Sequence, residues 1–355
     1  MQSSQSYQMI GLMSGTSGDG LDIAYTTFDF DGQWSFAIPH AETIPFPKKL
    51  GKQLRQCHEL SGLDLALLDV SFGKWMGEQV KEFCKKYNIQ PQAIASHGHT
   101  VFHQPQKGLS LQIGNAWSLH VACGLPVIND FRMLDIQLGG QGAPLVPIGD
   151  QLLFGEFDYC INLGGIANIS MDQAGHRVAF DICPFNLLLN HFAQKKKMPY
   201  DANGALAKSG KLIPKLLKAL NKHRFYKKSG AKSLGREDLA SFFECIDSGE
   251  KVSNILHTLV EHYAIQIAAC IEAKEERKAS VILTGGGAFN RYFVERLEAM
   301  LLEKAQILPI GEQVIQFKEA LIFAFLGVLR LRNEINTLAS VTGANRDSCG
   351  GVLIS

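Results

Sequence analysis

The sequence predicts an α/β protein built from two related domains, and two observations carry that prediction. Short apolar segments with the period of a strand alternate with longer segments of helical period. Each half also opens alike, with a strand, a bend of Gly and small polar residues, and a second strand. The chain has 355 residues, enough for two domains of ordinary size. The domain change is expected near residue 150, giving domains 1–150 and 151–355, with about the last 20 residues packing back on the first.

The elements follow in order. Met9 to Ser14 is apolar, and Leu21-Asp-Ile-Ala-Tyr-Thr-Thr-Phe28 alternates with period two, so both are strands joined by a tight turn. Between Leu63 and Tyr87, Leu68, Phe72, Trp75, Met76, Val80 and Phe83 recur at threes and fours, which predicts a helix. Ala93–Ser96 and Leu109–Ile113 read as strands, Ala116–Cys123 as a short helix and Pro126–Asn129 as a strand. A second cycle starts at Tyr159. Its later parts are a helix over Ser253–Lys274, a buried strand Ser280–Thr284 and a helix from about Asn290. Lys318–Arg332 closes the series as a long apolar helix. The Lys-rich region Gly204–Gly249 is expected to hold short helices and a surface loop.

Composition removes several classes of function. Lys plus Arg is 35 and Asp plus Glu is 34, a balance that argues for neither nucleic acid nor an anionic membrane as partner. The polar start MQSSQSYQ has no signal-peptide pattern. The longest apolar run, Ala320–Leu329, is shorter than the roughly 20 residues a bilayer needs. The eight cysteines are scattered without a C-x-x-C pair, which suits a reducing, cytoplasmic location.

The glycine bends carry the chemistry. Gly15-Thr-Ser-Gly-Asp-Gly20 spaces its outer glycines like a P-loop, but Leu21-Asp22 stands where Lys-Ser/Thr is needed and a strand follows instead of a helix. Small residues still let backbone N–H groups approach an anion, with the hydroxyls of Ser14, Thr16 and Ser17 as further donors around Gly18. Asp19 and Asp22 suit a divalent cation beside phosphate. A plain surface hairpin is the competing reading, since Asp-Gly is itself a turn signal. A second bend, Asn162-Leu-Gly164-Gly165-Ile-Ala-Asn168, offers another approach to anionic groups. A third, Thr284-Gly285-Gly286-Gly287-Ala-Phe-Asn290, could accept a purine or ribose against bare backbone. The ordered set resembles the sugar kinase, actin and heat-shock ATPase superfamily, which implies two actin-like (ribonuclease H-like) domains with a nucleotide cleft between them.

Asp181, in Ala179-Phe-Asp-Ile-Cys-Pro-Phe-Asn186, is the candidate base, placed where a strand ends ahead of Pro184. The alternative is an acid capping the helix that starts at Asn186. His97, His99 and His103 show an H-x-H-x3-H spacing, with His97 and His99 on one strand face. No nearby Cys or carboxylate completes a zinc site, so a polar-ligand or packing role is preferred. Arg132 has the geometry to clamp a carboxylate, or forms an ordinary surface ion pair.

Taken together, Ser14–Asp22, His97–Pro105, Leu111-Gln-Ile-Gly, Asp130-Phe-Arg, Gly139-Gly-Gln-Gly-Ala-Pro-Leu-Val-Pro147, Asn162–Asn168, Gly285-Gly-Gly and Ser340-Val-Thr-Gly-Ala344 resemble the anhydro-N-acetylmuramic acid kinase family over nearly the whole chain. The resemblance implies a kinase of cell-wall amino-sugar recycling that uses ATP and Mg²⁺. Asp181 would activate water. Gly15, Thr16, Ser17, Gly18, Asp19, Gly20, Asp22, Asn162, Gly164, Gly165, Gly285, Gly286, Gly287 and Asn290 would bind ATP, with Asp19 reaching the metal. Ser14, His97, Arg132, Asn186 and Glu319 would contact the sugar, Arg132 at its lactyl carboxylate. The expected partners are the small amino sugar and a second copy of the chain. The chain departs from the family's D-T-G-P-G-N at Asp181-Ile-Cys183-Pro-Phe185-Asn186, has His99 for a usual Gln and has Gln316 for a usual acid. If the family's two glycines serve to let backbone approach the substrate, Cys183 and Phe185 in their place imply a narrower or differently shaped pocket. A divergent homologue with altered or no kinase activity is the alternative.

Overall fold

The computed structural model describes residues 5–15, 20–228, 232–234, 236–246 and 249–355. The chain divides into two compact units, Met1–Leu153 with Phe317–Ser355, and Phe154–Gln316. The segment that returns to the first unit is therefore longer than the short C-terminal stretch expected.

The first unit begins β1 (Gln5–Ser14), β2 (Gly20–Phe30) and β3 (Trp34–Pro45), an antiparallel meander in which Ser14 pairs with Leu21 and Gly20 with Pro45. It continues through α1 (Lys48–Arg55), α2 (Gly62–Tyr87), β4 (Ala93–Ser96), β5 (His99–Gln104), β6 (Leu109–Ile113), α3 (Ala116–Cys123), β7 (Val127–Asn129), α4 (Met133–Gln137) and α5 (Val146–Leu153). The second unit holds β8 (Tyr159–Leu163), β9 (Ile166–Gln173), β10 (His176–Pro184), α6 (Asn186–Gln194), α7 (Ala205–Lys208), α8 (Pro214–Asn221), α9 (Arg236–Glu244), α10 (Val252–Ala269), β11 (Ala279–Thr284), α11 (Arg291–Leu301) and β12 (Ala305–Ile307). The chain returns through α12 (Glu312–Leu331), α13 (Ala339–Thr342) and β13 (Val352–Ile354).

The two sheets share one topology. The first runs β3-β2-β1-β4-β7, extended by β13, and the second runs β10-β9-β8-β11-β12. In each, three antiparallel strands are followed by two parallel ones. This is the duplicated α/β architecture read from the two glycine-turned hairpins. The third strand of the first meander is the part that the period-two pattern under-reported. β3 is an edge strand with mostly exposed or half-buried residues, so its apolar signal is weak.

Burial explains the patterns. β1 reads as a continuous apolar run because helices cover both faces of its sheet. Ile10 and Leu12 join the core beneath α2 and α3, together with Phe72, Met76, Val80 and Leu119. Met9 and Gly11 face the other way, where α12 lies so close that a methyl group on Gly11 would overlap the carbonyl of Ala320. Helix α2 starts at the Ser61 cap, whose Oγ accepts from the Asp64 N–H at 3.2 Å. It ends at Asn88 in the left-handed region (φ 51°). In the second unit α10 forms the spine of the core, with Ile255, Leu259, Tyr263 and Ile267 all fully buried.

Some boundaries differ from the sequence reading. Helix α10 stops at Ala269, short of Lys274. Helix α12 starts at Glu312, six residues before Lys318, and is broken by non-helical angles at Phe317 (φ −112°, ψ 16°). His97 lies in the loop between β4 and β5, and His99 begins β5, so the two share no strand face. No helix among the described residues is long and apolar enough to cross a membrane.

One buried polar network supports the helices of the second unit. His262 donates from Nδ1 to Asn221 Oδ1 at 2.6 Å and accepts at Nε2 from the Tyr226 hydroxyl at 2.8 Å. Burial, with a contribution from His223, holds its pKa down to about 3. An imidazole whose folded pKa lies below its unfolded value stays neutral in the fold while the unfolded chain binds the proton. Its contribution is therefore complete above about pH 6.5 and declines as pH falls, by at most about 1.4 kcal/mol per pH unit. Denaturant unfolding at pH 7 and pH 5 should show this loss, and His262→Gln should show a flatter dependence.

Candidate active site

In the first unit the polar residues cluster around the ends of β1, β4 and β7. Ser14 closes β1 and is buried, with its hydroxyl 3.0 Å from His99 Nδ1. His99 Nε2 lies 3.2 Å from the Leu54 carbonyl, an acceptor only, so Nε2 carries the proton. Burial keeps His99 neutral by pushing its pKa down. Nδ1 is thus the acceptor, and the Ser14 hydroxyl donates to it. Between Gly15 and Gly20, the four candidates Thr16, Ser17, Gly18 and Asp19 lie outside the described residues.

The Arg132 side chain is held by a chain of polar contacts. Asp130 adopts the left-handed region (φ 54°) and its Oδ1 accepts the Met133 N–H, forming the turn between β7 and α4. Arg132 Nη1 donates to the Gly142 carbonyl at 2.6 Å and Nη2 to His97 Nε2 at 2.8 Å. His97 Nδ1 then donates to the Gly98 carbonyl at 3.0 Å. This tautomer agrees with an imidazole kept neutral, first by burial and then by the Arg132 charge. The Gly142 N–H in turn donates to the buried Asp135, which also accepts from the Thr342 hydroxyl at 2.7 Å. Asp135 thereby ties the Gly-rich loop and α13 to Arg132. It was not among the site residues expected. Arg132 Nε has no partner among the described residues.

The acids here sit against each other. Burial raises the pKa of Asp22, opposed by a 2.5 Å hydrogen bond from Thr43 Oγ1. Burial also raises Glu319, with Asp22 adding to the rise and Arg132 and Lys318 opposing it. Lys318 itself forms a buried ion pair with Asp150 at 2.7 Å. Burial lowers the Arg132 pKa to about 10, so its guanidinium stays charged at neutral pH. Glu319 thus interacts with the Asp22 carboxylate and with the Arg132 and Lys318 cations.

In the second unit, strand register builds the cluster. Asp181 on β10 pairs with Asn168 on β9, Asn168 with Asn162 on β8, and Asn162 with Thr284 on β11. Directly paired residues share a sheet face, so these four form one polar row across four strands. The second and third glycine bends meet beside it. A methyl group on Gly285, which has φ 77°, would stand 2.6 Å from Asn162 Oδ1, so only glycine fits that corner. Gly164 and Gly165 accept from the N–H groups of Asn186 and Phe185 at 3.2 and 2.9 Å, and Asn186 Nδ2 donates to the Leu163 carbonyl at 3.1 Å. Asn290 is the N-cap of α11, its Oδ1 accepting from Phe293 N at 3.1 Å.

Asp181 does not mark a strand end. Pairing continues past it through a bulge to Pro184, which an edge strand such as β10 tolerates. Nor does it cap α6, whose N-cap is Phe185. Its Oδ2 accepts from the Leu234 N–H at 2.8 Å and the Ser233 hydroxyl at 3.3 Å. Burial raises its pKa against these two bonds. Ser233 and Leu234 were missed because nothing local to them signals a contact with a residue more than fifty positions earlier.

The side chains of Cys183 and Phe185 do not reshape a pocket from within. Both are fully buried in the core of the second unit. Phe185 packs on Tyr263 and Phe293 with ring centroids 5.0 and 4.8 Å apart. A methyl group on Gly287 would overlap its ring edge, so the ring occupies the hollow which that glycine leaves. Among the described residues, no group of three or more His, Cys, Asp or Glu stands together as a metal-ion site.

A duplicated meander-plus-parallel sheet, with a polar row beside glycine bends, defines a two-unit α/β protein of the ribonuclease H-like type. The family model described as anhydro-N-acetylmuramic acid kinase matches residues 7–355, and the chain belongs to that family. A relative named anhydro-N-acetylmuramic acid kinase from Shewanella loihica (strain ATCC BAA-1088 / PV-4) is 37% identical over 366 residues, covering 97% of each chain. One of the same name from Bacillus thuringiensis subsp. konkukian (strain 97-27) is 32% identical over 373 residues, covering 95% of this chain and 96% of the relative. Among solved structures, the activator of the 2-hydroxyisocaproyl-CoA dehydratase from Clostridium difficile with bound ADPNP gives a TM-score of 0.42 at 12% identity, over 92% of this chain and 97% of that one. A ROK hexokinase from Thermus thermophilus gives 0.38 at 16% identity, over 90% and 99%.

The packing of Phe185 leads to a direct test. Phe185→Ala should destabilise the protein by about 3–5 kcal/mol, read as a lowered denaturant midpoint. An unchanged midpoint would mean that the ring is not part of the core.

Proposed function

We propose that this protein is an ATP-dependent kinase that opens 1,6-anhydro-N-acetylmuramic acid with water and phosphorylates O6, giving N-acetylmuramic acid 6-phosphate in peptidoglycan recycling. The observation that carries the reading is Asp181, a half-buried carboxylate in the polar row beside two glycine bends, in a chain of this family. Its Oδ2 is held by two donors, and burial moves its pKa towards the range in which a general base works.

In this reaction Asp181 takes a proton from water as the water oxygen bonds to the anomeric carbon. The bond from that carbon to O6 breaks, and the O6 electron pair goes to the γ-phosphorus of ATP. The bond from that phosphorus to the β-phosphate oxygen breaks and ADP leaves; the proton on Asp181 returns to solvent. Asn162, Gly164, Gly165, Gly285, Gly286, Gly287 and Asn290 are assigned to the nucleotide, together with the first bend, Gly15–Gly20, and Asp22. Arg132 is assigned to the lactyl carboxylate, with His97, Asn186 and Glu319 as further sugar contacts. Ser14 supports this region through His99, since its hydroxyl is buried and engaged.

Mg²⁺ fits the first unit by donor chemistry. Asp22 offers a carboxylate whose charge burial penalises, and a hard dication held largely by phosphate and water needs only one or two such oxygens. Asp19 and Asp22 would hold it, and when bound it neutralises charge on the phosphate oxygens. A sugar-dependent ADP assay tests the whole reading. Asp181→Asn should lose at least about a thousandfold in kcat while ATP binding persists. Turnover at the unchanged rate would remove Asp181 as the base.

The protein is also proposed to pair as a homodimer. Leu63, Leu67 and Val70 lie exposed on α2, and Trp117 and Val121 on α3. Gly73 and Gly77 let these helices pack closely. The five side chains expose on the order of 600 Å² of apolar surface, approaching the ~800 Å² per partner of a standard interface. Sedimentation should show a dimer that Leu67→Lys with Val121→Lys converts to monomer; a dimer that persists in this double variant would place the interface elsewhere.

A further inference from the structure

We infer that the segment Lys232–Leu234 is a positioning strap for Asp181, fixing which carboxylate oxygen meets water and how basic it is. This inference rests on the proposed role of Asp181 and adds residues to it.

The strap is tied to β10 on both sides of the acid. The Asp181 N–H donates to the Lys232 carbonyl at 2.8 Å, and the Leu234 N–H donates back to Asp181 Oδ2 at 2.8 Å. The Ser233 hydroxyl adds a second donor to the same oxygen at 3.3 Å. β10 is the outer strand of its sheet, so the Asp181 N–H is free to make this bond instead of a ladder bond. Both donors fall on Oδ2, and no described residue donates to Oδ1. The carboxylate is therefore fixed in rotation, with one oxygen satisfied and the other open as proton acceptor.

Both ends of the strap are anchored independently of the acid. The Lys232 ammonium lies over the rings of Phe225 and Tyr226, 4.9 and 5.5 Å from their centroids, and 6.0 Å from Phe180. Leu234 is buried in the hydrophobic core of the second unit. Ser233 between them is exposed. This places the strap by packing, so that it does not depend on the bonds it makes to Asp181.

The electrostatics are simple around this group. Cys183 on the same strand, and Tyr226, Tyr263 and Cys270 behind it, are all held in their neutral forms by burial. The Lys232 charge acts on the neighbouring thiols of Cys183 and Cys270. Burial favours the protonated acid, and the donors of the strap oppose it. Losing a donor therefore raises the pKa at which Asp181 becomes a base.

The test is the pH profile of kcat/KM for sugar-dependent ADP formation by the full chain. Ser233→Ala should move the acid limb upward by about half to one pH unit, with ATP binding and unfolding midpoint unchanged. Lys232→Ala, which frees one anchor, should move it the same way, and activity lost at pH 7 should return in part at higher pH. Leu234→Pro removes the N–H donor and should give the largest displacement; if that variant does not fold, the other two decide. A profile that keeps its acid limb in both Ser233→Ala and Lys232→Ala, or a loss equal at every pH, would overturn the strap. The parent reading is judged separately by Asp181→Asn. If that variant is inactive and the limb stays fixed in the strap variants, only the strap falls; if it is active, the base assignment falls with it.

Discussion

The packing of Phe185 into the hollow left by Gly287 is the contact on which the second unit's cluster depends. It fixes the point where β10 turns into α6, and the same residue's N–H reaches the Gly165 carbonyl. Three separate stretches of chain, the β8–β9 turn, the start of α6 and the turn after β11, are thereby held against one another. The glycines in these turns serve close backbone approach as much as ligand contact. A residue of Cβ size at Gly285 or Gly287 would push the turns apart.

Within that frame, desolvation is the main influence on the ionisable groups. It is the first cause of the shifts at Asp22, His97, Arg132, Asp181 and Glu319. Each of these groups is then corrected by specific neighbours. His97 is locked as a neutral acceptor for Arg132, and Arg132 is oriented by Gly142, whose own N–H is held by Asp135. The carboxylates of Asp22 and Glu319 remain in mutual conflict. Such a conflict is relieved by a cation or by a bound proton. Asp181 stands apart: among the described residues its donors are a hydroxyl and a backbone N–H, with no charged side chain bonded to it.

Much of the architecture was legible in the chain because its signals are local. A continuous apolar run located β1, period-two alternation located β2, helical period located α2 and α10, and the glycine bends marked the two hairpins. The ends of elements were less legible. Helix α10 closes before, and α12 starts before, the points that the apolar stretches suggest. β3 escaped notice because an edge strand has little apolar pattern to read.

For the candidate site, residue types and spacing were enough to single out Asp181, Arg132 and the glycine bends, and the run of motifs was enough to suggest the family. Tertiary structure alone decided which neighbours they meet. Nothing in the order of residues says that Ser233 and Leu234 reach Asp181, that Asp135 supports Arg132 through Gly142, or that Cys183 and Phe185 turn into the core. The reason is physical. Backbone preferences and apolar period act over a few residues, whereas burial, partner choice and side-chain direction arise only when distant segments are brought into contact.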